Sequence, residues 1–210
     1  LERLDPAAST AQRHEFIRQH VHLRLLQLIA RQPERALSPI PIQAAADQEF
    51  WQQVFWAISN YFDSEQMPDP SDRATETIAQ LRSAIQWLQK NAKLKLSNMT
   101  FCHKISSYGN YKRFSRDEFS PGQSVLIYAE IENFTSLPTS DSQFRTQMKS
   151  TMEIYRVGPE GGLVDRIEFP PDEDLCSSPR RDYFHSYEIR IPQRITSLGP
   201  HVLKLTVFIY

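Results

Sequence analysis

The chain has 210 residues, room for one large domain or two small ones. Its 40% hydrophobic and 23% charged content is that of a globular protein, which excludes extended disorder as its organising feature. With 24 basic and 25 acidic residues the formal net charge is -1, so there is no electrostatic footprint for nucleic acid and no attraction to an anionic membrane surface. No apolar run approaches the roughly 20 residues of a membrane-crossing helix. The chain begins at Leu1 and stops at Tyr210 inside an apolar alternating pattern. It is therefore expected to be a piece of a longer protein, with a further strand after Tyr210.

The first third reads as helix. Over 10–31, Ile17, Val21, Leu25, Leu28 and Ile29 recur at steps of three and four, and Phe16, Leu23 and Leu26 widen the stripe. Gln32-Pro33 and Ser38-Pro39-Ile40-Pro41 are expected to end this helix, because proline lacks a backbone donor. A second helix is expected from 42 or 43 to 62, with Trp51, Val54, Phe55, Ile58, Tyr61 and Phe62 on one stripe. That aromatic load fits a helix–helix core or, alternatively, a partner surface. A third helix is capped by Ser71 or Asp72. Its Ala74, Ile78, Leu81, Ile85, Leu88 and Ala92 step by four, three, four, three and four, a spacing for lengthwise packing on another helix. Arg73, Glu76, Gln80, Gln86 and Lys90 are expected to face water.

At Lys93 the period changes from helical to alternating with no linker composition. This divides the chain into a helical domain, 1–92, and a β domain, 93–210. Segment 94–105 changes phase between Leu96 and Met99, which predicts a bulge near Ser97-Asn98. A loop of aromatic and charged residues is expected over 106–120. Segment 121–134 is the strand the rest can pair with: Val125, Ile127, Ala129 and Ile131 form a core face, and Leu126, Tyr128, Glu130 and Glu132 a part-wet one. Segments 144–157 and 163–169 flank a hairpin at Gly158-Pro159-Glu160-Gly161-Gly162. An acidic-then-basic loop follows, and segments 183–191 and 201–210 alternate again. Connections this short require antiparallel pairing. The fold class is α+β in two parts: an N-terminal three-helix segment followed by an antiparallel immunoglobulin-like β-sandwich.

Chemistry-bearing motifs are sparse. The chain has 6 glycines and no phosphate-cradling loop, nucleophile elbow or His-Glu-x-x-His pair. His20 and His22 point to opposite sides of their helix, which gives no metal pair. His103 and His185 lie on strands and can be neighbours, and Asp172, Glu173 and Asp174 share a loop; together they support at most a hydrolase of unknown type. Those acids also fit a calcium loop, or neutralisation by Arg180 and Arg181. No catalytic residue, metal ligand or cofactor is assigned. Cys102 and Cys176 match no zinc or redox spacing and are expected to be unpaired, although a single disulfide is the alternative. The best candidate binding surface is the aromatic loop, with Tyr108, Tyr111, Arg113 and Phe114 placed to stack on a sugar ring or a partner's side chains. The other reading is a loop folded over an open sheet edge. Asn98-Met99-Thr100 and Asn133-Phe134-Thr135 match the glycosylation acceptor pattern.

The stretches SPGQSVLIYAEIENF, DYFHSYEIRIP and LGPHVLKLTVFIY resemble the early and late strands of immunoglobulin-like modules. The chain as a whole resembles uncharacterised bacterial proteins that join a helical segment to such a sandwich. The resemblance implies a fold, an accessory role and an extracytoplasmic or envelope location, and it carries over no active site. The expected function is a non-catalytic protein-interaction or scaffolding module of a larger bacterial protein, with no nucleic-acid partner. A carbohydrate-binding module using 108–119 is the alternative.

Overall fold

The computed structural model describes residues 8–41, 45–158, 161–195 and 199–210. The chain is α+β and divides into two compact units, Leu1–Ala92 and Lys93–Tyr210.

Among its described residues the first unit has four helices: α1 (Thr10–Ile29), α2 (Pro33–Ala36), α3 (Ala45–Phe62) and α4 (Pro70–Gln89). The sequence reading expected three. Pro33 does end α1, but it also occupies the first turn of a new helix, where its missing N–H has no partner to lose. A capping box opens α1: Ser9 Oγ accepts from the Gln12 N–H, and Gln12 Oε1 accepts from the Ser9 N–H. The cap of α4 is Asp69, whose carboxylate accepts from the Ser71 N–H at 2.7 Å, rather than Ser71 or Asp72. The start expected for α3 at 42 or 43 lies outside the described residues.

One α3–α4 contact is polar and lies at a small residue. Ala57 and Ala84 are buried, and the Thr77 hydroxyl donates to the Ala57 carbonyl. Residues Arg73, Thr77, Gln80, Ala84 and Trp87 are the covered line of α4. This reverses the expected orientation. Arg73 and Gln80, expected in water, are half-buried, whereas Ile78, Leu81, Ile85 and Leu88, expected in a helix–helix seam, are 44–54% exposed. Ala57 and Ala84 are buried at 1% and 2% exposure, positions where larger Ile or Leu side chains would need more room. On α1 the buried positions are His20 and Arg24 rather than the aliphatic stripe. Arg24 donates to the Ser38 and Pro39 carbonyls and so ties the 37–41 segment down. His20 rests on the Phe16 ring at 4.3 Å.

Among its described residues the second unit holds nine β segments: β1 (Lys95–Ser107), β2 (Asn110–Arg113), β3 (Ser124–Glu132), β4 (Leu137–Pro138), β5 (Phe144–Arg156), β6 (Leu163–Glu168), β7 (Asp172–Cys176), β8 (Phe184–Arg190) and β9 (His201–Ile209). Six correspond to the expected strands; β2, β4 and β7 fall where loops were expected. Every pairing is antiparallel. One sheet runs β2-β1-β3-β8. The second is built on β5. There β6 and β7 line one side, interrupted at Pro170-Pro171, and β9 and β4 line the other. Among the described residues β9 pairs with β5 alone, at a sheet edge.

The expected bulge is present. Ser97 pairs with Glu130 and Thr100 with Tyr128, so β1 carries one extra residue there, and Asn98 adopts φ +49°. The extra residue corrects the side-chain parity, so that Leu96 and Phe101 both reach the core. That core lies between the sheets: Val125, Ile127 and Ala129 of β3 and Tyr187 and Ile189 of β8 meet Met152 of β5 and Leu205 of β9. Ser150 and Tyr187 share a 2.8 Å hydroxyl hydrogen bond across it. Burial pushes the Tyr187 phenol up to about 12, so it stays a neutral partner.

Candidate functional site

The face of β3 expected to be part-wet is covered. Tyr128 is fully buried and Glu130 is 8% exposed. The cover is the β1–β2 hairpin. Gly109 takes φ +66°, a conformation that suits glycine, and closes the turn between Ser107 and Asn110. Its N–H donates to Tyr128 Oη at 2.7 Å and pins the turn over the sheet. Tyr111 then lies on Tyr128 with ring centroids 4.2 Å apart, and Phe184 of β8 stacks on the other side at 5.4 Å. Beneath these rings Glu130 accepts from Tyr128 Oη at 2.8 Å, from Asn98 Nδ2 at 2.6 Å and from Tyr108 Oη at 3.4 Å. Burial, with the Glu130 carboxyl adding to it, pushes the Tyr128 phenol up to about 12, so it holds its proton as a donor.

The four candidate binding residues separate. Tyr108 is 42% exposed, with its ring edge toward Phe184 at 6.4 Å. Tyr111 is half-buried in the ring layer just described. Arg113 is exposed and donates from Nε to Thr100 Oγ1 at 2.9 Å. Phe114 is half-buried against the core, 5.1 Å from Phe119 and 4.5 Å from His103. Tyr111 thus covers the Tyr128 face of the sheet, and Phe114 packs against the core on the opposite face.

Tyr108 alone of the four lines a cleft of about 360 Å³, together with Asp174, Arg180, Asp182, Tyr183 and Phe184. Those five residues come from β7, the segment after it and the start of β8, far from Tyr108 in sequence. The acidic run is strand here, so its members diverge, as neighbouring strand residues must. Asp172 accepts from Tyr183 Oη at 3.0 Å, Glu173 from Gln147, and Asp174 from Arg180 through both Nε and Nη2, at 2.6 and 2.7 Å. This fork holds the Asp174 carboxyl below the usual carboxylate range. The Cys176 thiol also donates to Asp174, which raises it. Cys176 and the buried Cys102 are both free. Among the described residues no group of three or more His, Cys, Asp or Glu is placed to hold a metal ion. Among them, no helix is long and apolar enough to cross a membrane.

The two histidines expected to be neighbours, His103 and His185, have separate surroundings. His103 is exposed beside Phe114. His185 lies between the rings of Tyr183 and Tyr187 on the core face of β8, its Nε2 3.7 Å from Asp172 and without a hydrogen-bond partner. Burial lowers its pKa, against a smaller opposing pull from Asp172. Burial lowers that of His20 as well, helped by Arg24. Both groups stay neutral in the folded chain at pH values where the unfolded chain takes up protons. Folding stability is therefore expected to fall as the pH drops below about 6.5, the ordinary histidine value, and to be insensitive to these groups above it. Thermal midpoints measured from pH 7.5 to 5 check this: replacing His185 with glutamine should make the acid-side slope shallower, and an unchanged slope would refute the assignment.

Comparison with known proteins returns no match: no family model, no curated protein and no solved structure matches the chain.

Proposed function

We propose that this chain is a non-catalytic interaction module whose β unit binds a partner polypeptide in the cleft beside Tyr108, within an immunoglobulin-like sandwich. The sandwich reading is supported by the uniformly antiparallel pairing and by the core shared between the two sheets. The binding reading rests on one observation. A half-exposed tyrosine, held from behind by a pinned hairpin, forms the lip of a cleft whose floor is a fork-paired Arg180–Asp174. A rigid aromatic beside a guanidinium is the pairing that interaction surfaces favour, because the ring loses little rotamer freedom on binding. The Arg180–Asp174 pair is part-exposed on both members, so a peptide's carboxylate or amide can reach either group.

Carbohydrate binding is the second reading. It is favoured by the acids Asp174 and Asp182 beside the Tyr108 ring, since sugar hydroxyls donate to carboxylates while a ring face covers their C–H surface. It is weakened by ring geometry. Tyr108 and Phe184 meet edge to face at 71° and offer no flat platform.

A photo-crosslinking residue in place of Tyr108 tests the proposal in lysate of the source organism. A discrete polypeptide adduct is expected that is absent with the probe at the exposed Val202 and lost with Arg180→Ala. Equal adducts from positions 108 and 202 would refute it. Glycan-array binding that depends on Tyr108 would instead establish the second reading.

A further inference from the structure

We infer that α4 pairs with α4 of a second copy of this chain as a parallel two-stranded coiled coil. The starting observation is the reversed orientation of α4. The helix is already held to α3, with Thr77 donating to the Ala57 carbonyl, yet Ile78, Leu81, Ile85 and Leu88 are 47%, 44%, 54% and 51% exposed. Exposed aliphatic residues at steps of three and four over three turns form a seam, since scattered surface leucines would carry no period.

The residue types in the seam name the occupant. In heptad terms the β-branched residues Ile78 and Ile85 hold the a positions, and Leu81 and Leu88 the d positions. Isoleucine at a with leucine at d is the combination that favours two parallel strands, because the Cα–Cβ directions differ between the two layers. Charge agrees with that choice. In the parallel arrangement the seam is flanked on one side by Thr77 and Ala84, which are already covered within the chain, and on the other by Arg82 and Gln89, so no like charges meet. An antiparallel arrangement aligning the same four layers sets Arg82 against its own symmetry mate, a repulsive pair at the centre of the seam. The α3 side does not obstruct: its contact line on α4 is about a quarter turn or more away from the a/d seam, by the 100° step per residue.

The area sets the strength. The seam continues past Ala74 into a groove of about 460 Å³ that Tyr61 and Phe62 also line, and these rings are 57% and 75% exposed. The six large side chains together offer about 600 Å² per copy, somewhat under the roughly 800 Å² per partner of a standard stable interface. The dimer is therefore expected to be concentration-dependent, with a dissociation constant on the order of micromolar. This inference is independent of the cleft at Tyr108, because it concerns the other unit and a different partner.

Sedimentation equilibrium of the full chain over roughly 1–200 µM tests it. The expected result is a mass rising from monomer to dimer, and a Leu81→Glu variant that stays monomeric throughout with an unchanged circular dichroism spectrum. Ile85→Cys in a Cys176→Ser background should form an 85-to-85 disulfide dimer under mild oxidation, since equivalent a positions meet only in the parallel pairing. A chain that remains monomeric at every concentration overturns the proposal, as does a dimer that Leu81→Glu leaves intact. A dimer that forms without the 85-to-85 crosslink overturns the parallel arrangement. A monomer that Leu81→Glu destabilises assigns the seam to a contact within one chain and overturns the proposal as well.

Discussion

Tyr128→Ala is expected to cost the β unit about 3–5 kcal/mol of stability, the range for removing a fully buried aromatic side chain. Three losses combine. The ring contacts to Tyr111 and Phe184 disappear. The Gly109 N–H loses its acceptor, so the hairpin turn is released from the sheet. Glu130, buried, loses its shortest hydroxyl donor, and a buried acceptor without a partner is penalised more than a hydrogen bond is worth. Tyr128→Phe separates these contributions: it keeps the ring and removes only the hydroxyl, so about 1–3 kcal/mol is expected. Denaturant midpoints of the β unit, followed by near-ultraviolet circular dichroism, measure both. A Tyr128→Phe variant as stable as the parent would show that the Tyr128–Glu130–Gly109 network contributes nothing. Because Tyr108 is carried on the same hairpin, Tyr128→Ala is also expected to abolish adduct formation from position 108.

Met152→Ala is expected to cost about 2–5 kcal/mol. Met152 is fully buried at the centre of β5, paired with Ile167 of β6 on one side and Leu205 of β9 on the other, and it belongs to the core shared by both sheets. Its loss leaves a cavity that three strands and the facing sheet cannot close without breaking register. Met152→Leu, close in volume, is expected to cost less than about 1.5 kcal/mol. Leu163→Ala, at a half-exposed site on β6, is expected within about 0.5 kcal/mol of the parent. A Met152→Ala cost below that of Leu163→Ala would move the centre of the core away from β5.

How much of this was legible in the sequence differs between the two units. Alternation of period two is read directly, since each strand residue faces one side or the other. Val125 to Ile131 and Tyr183 to Ile191 therefore mark the core face they occupy, and the phase slip at Ser97-Asn98 marks the bulge. Strand partners and short strands were not legible. β2 and β7 became strands only because β1 and β5 offered free edges to pair with, and their local composition is that of loops. The same holds for the site. Tyr108 was recognisable as an aromatic on a loop, but its neighbours Asp174, Arg180 and Phe184 depend on which strand pairs with which.

The sequence by itself determined the period of the longer elements and the antiparallel pairing that short connections impose. Tertiary structure alone decided which side of a helix or sheet is covered. On α4 the apolar stripe is what the hydrophobic effect would bury, yet Thr77 bonds to the Ala57 carbonyl of α3, Ala84 is buried, and Ile78, Leu81, Ile85 and Leu88 are left outward. On β3 the alternate face, polar by composition, is buried because the Gly109 turn brings a layer of rings over it and Tyr128, Asn98 and Tyr108 supply the donors that Glu130 requires. Periodicity is a property of the backbone and is local. Burial is a property of what lies opposite, and only the folded chain specifies that.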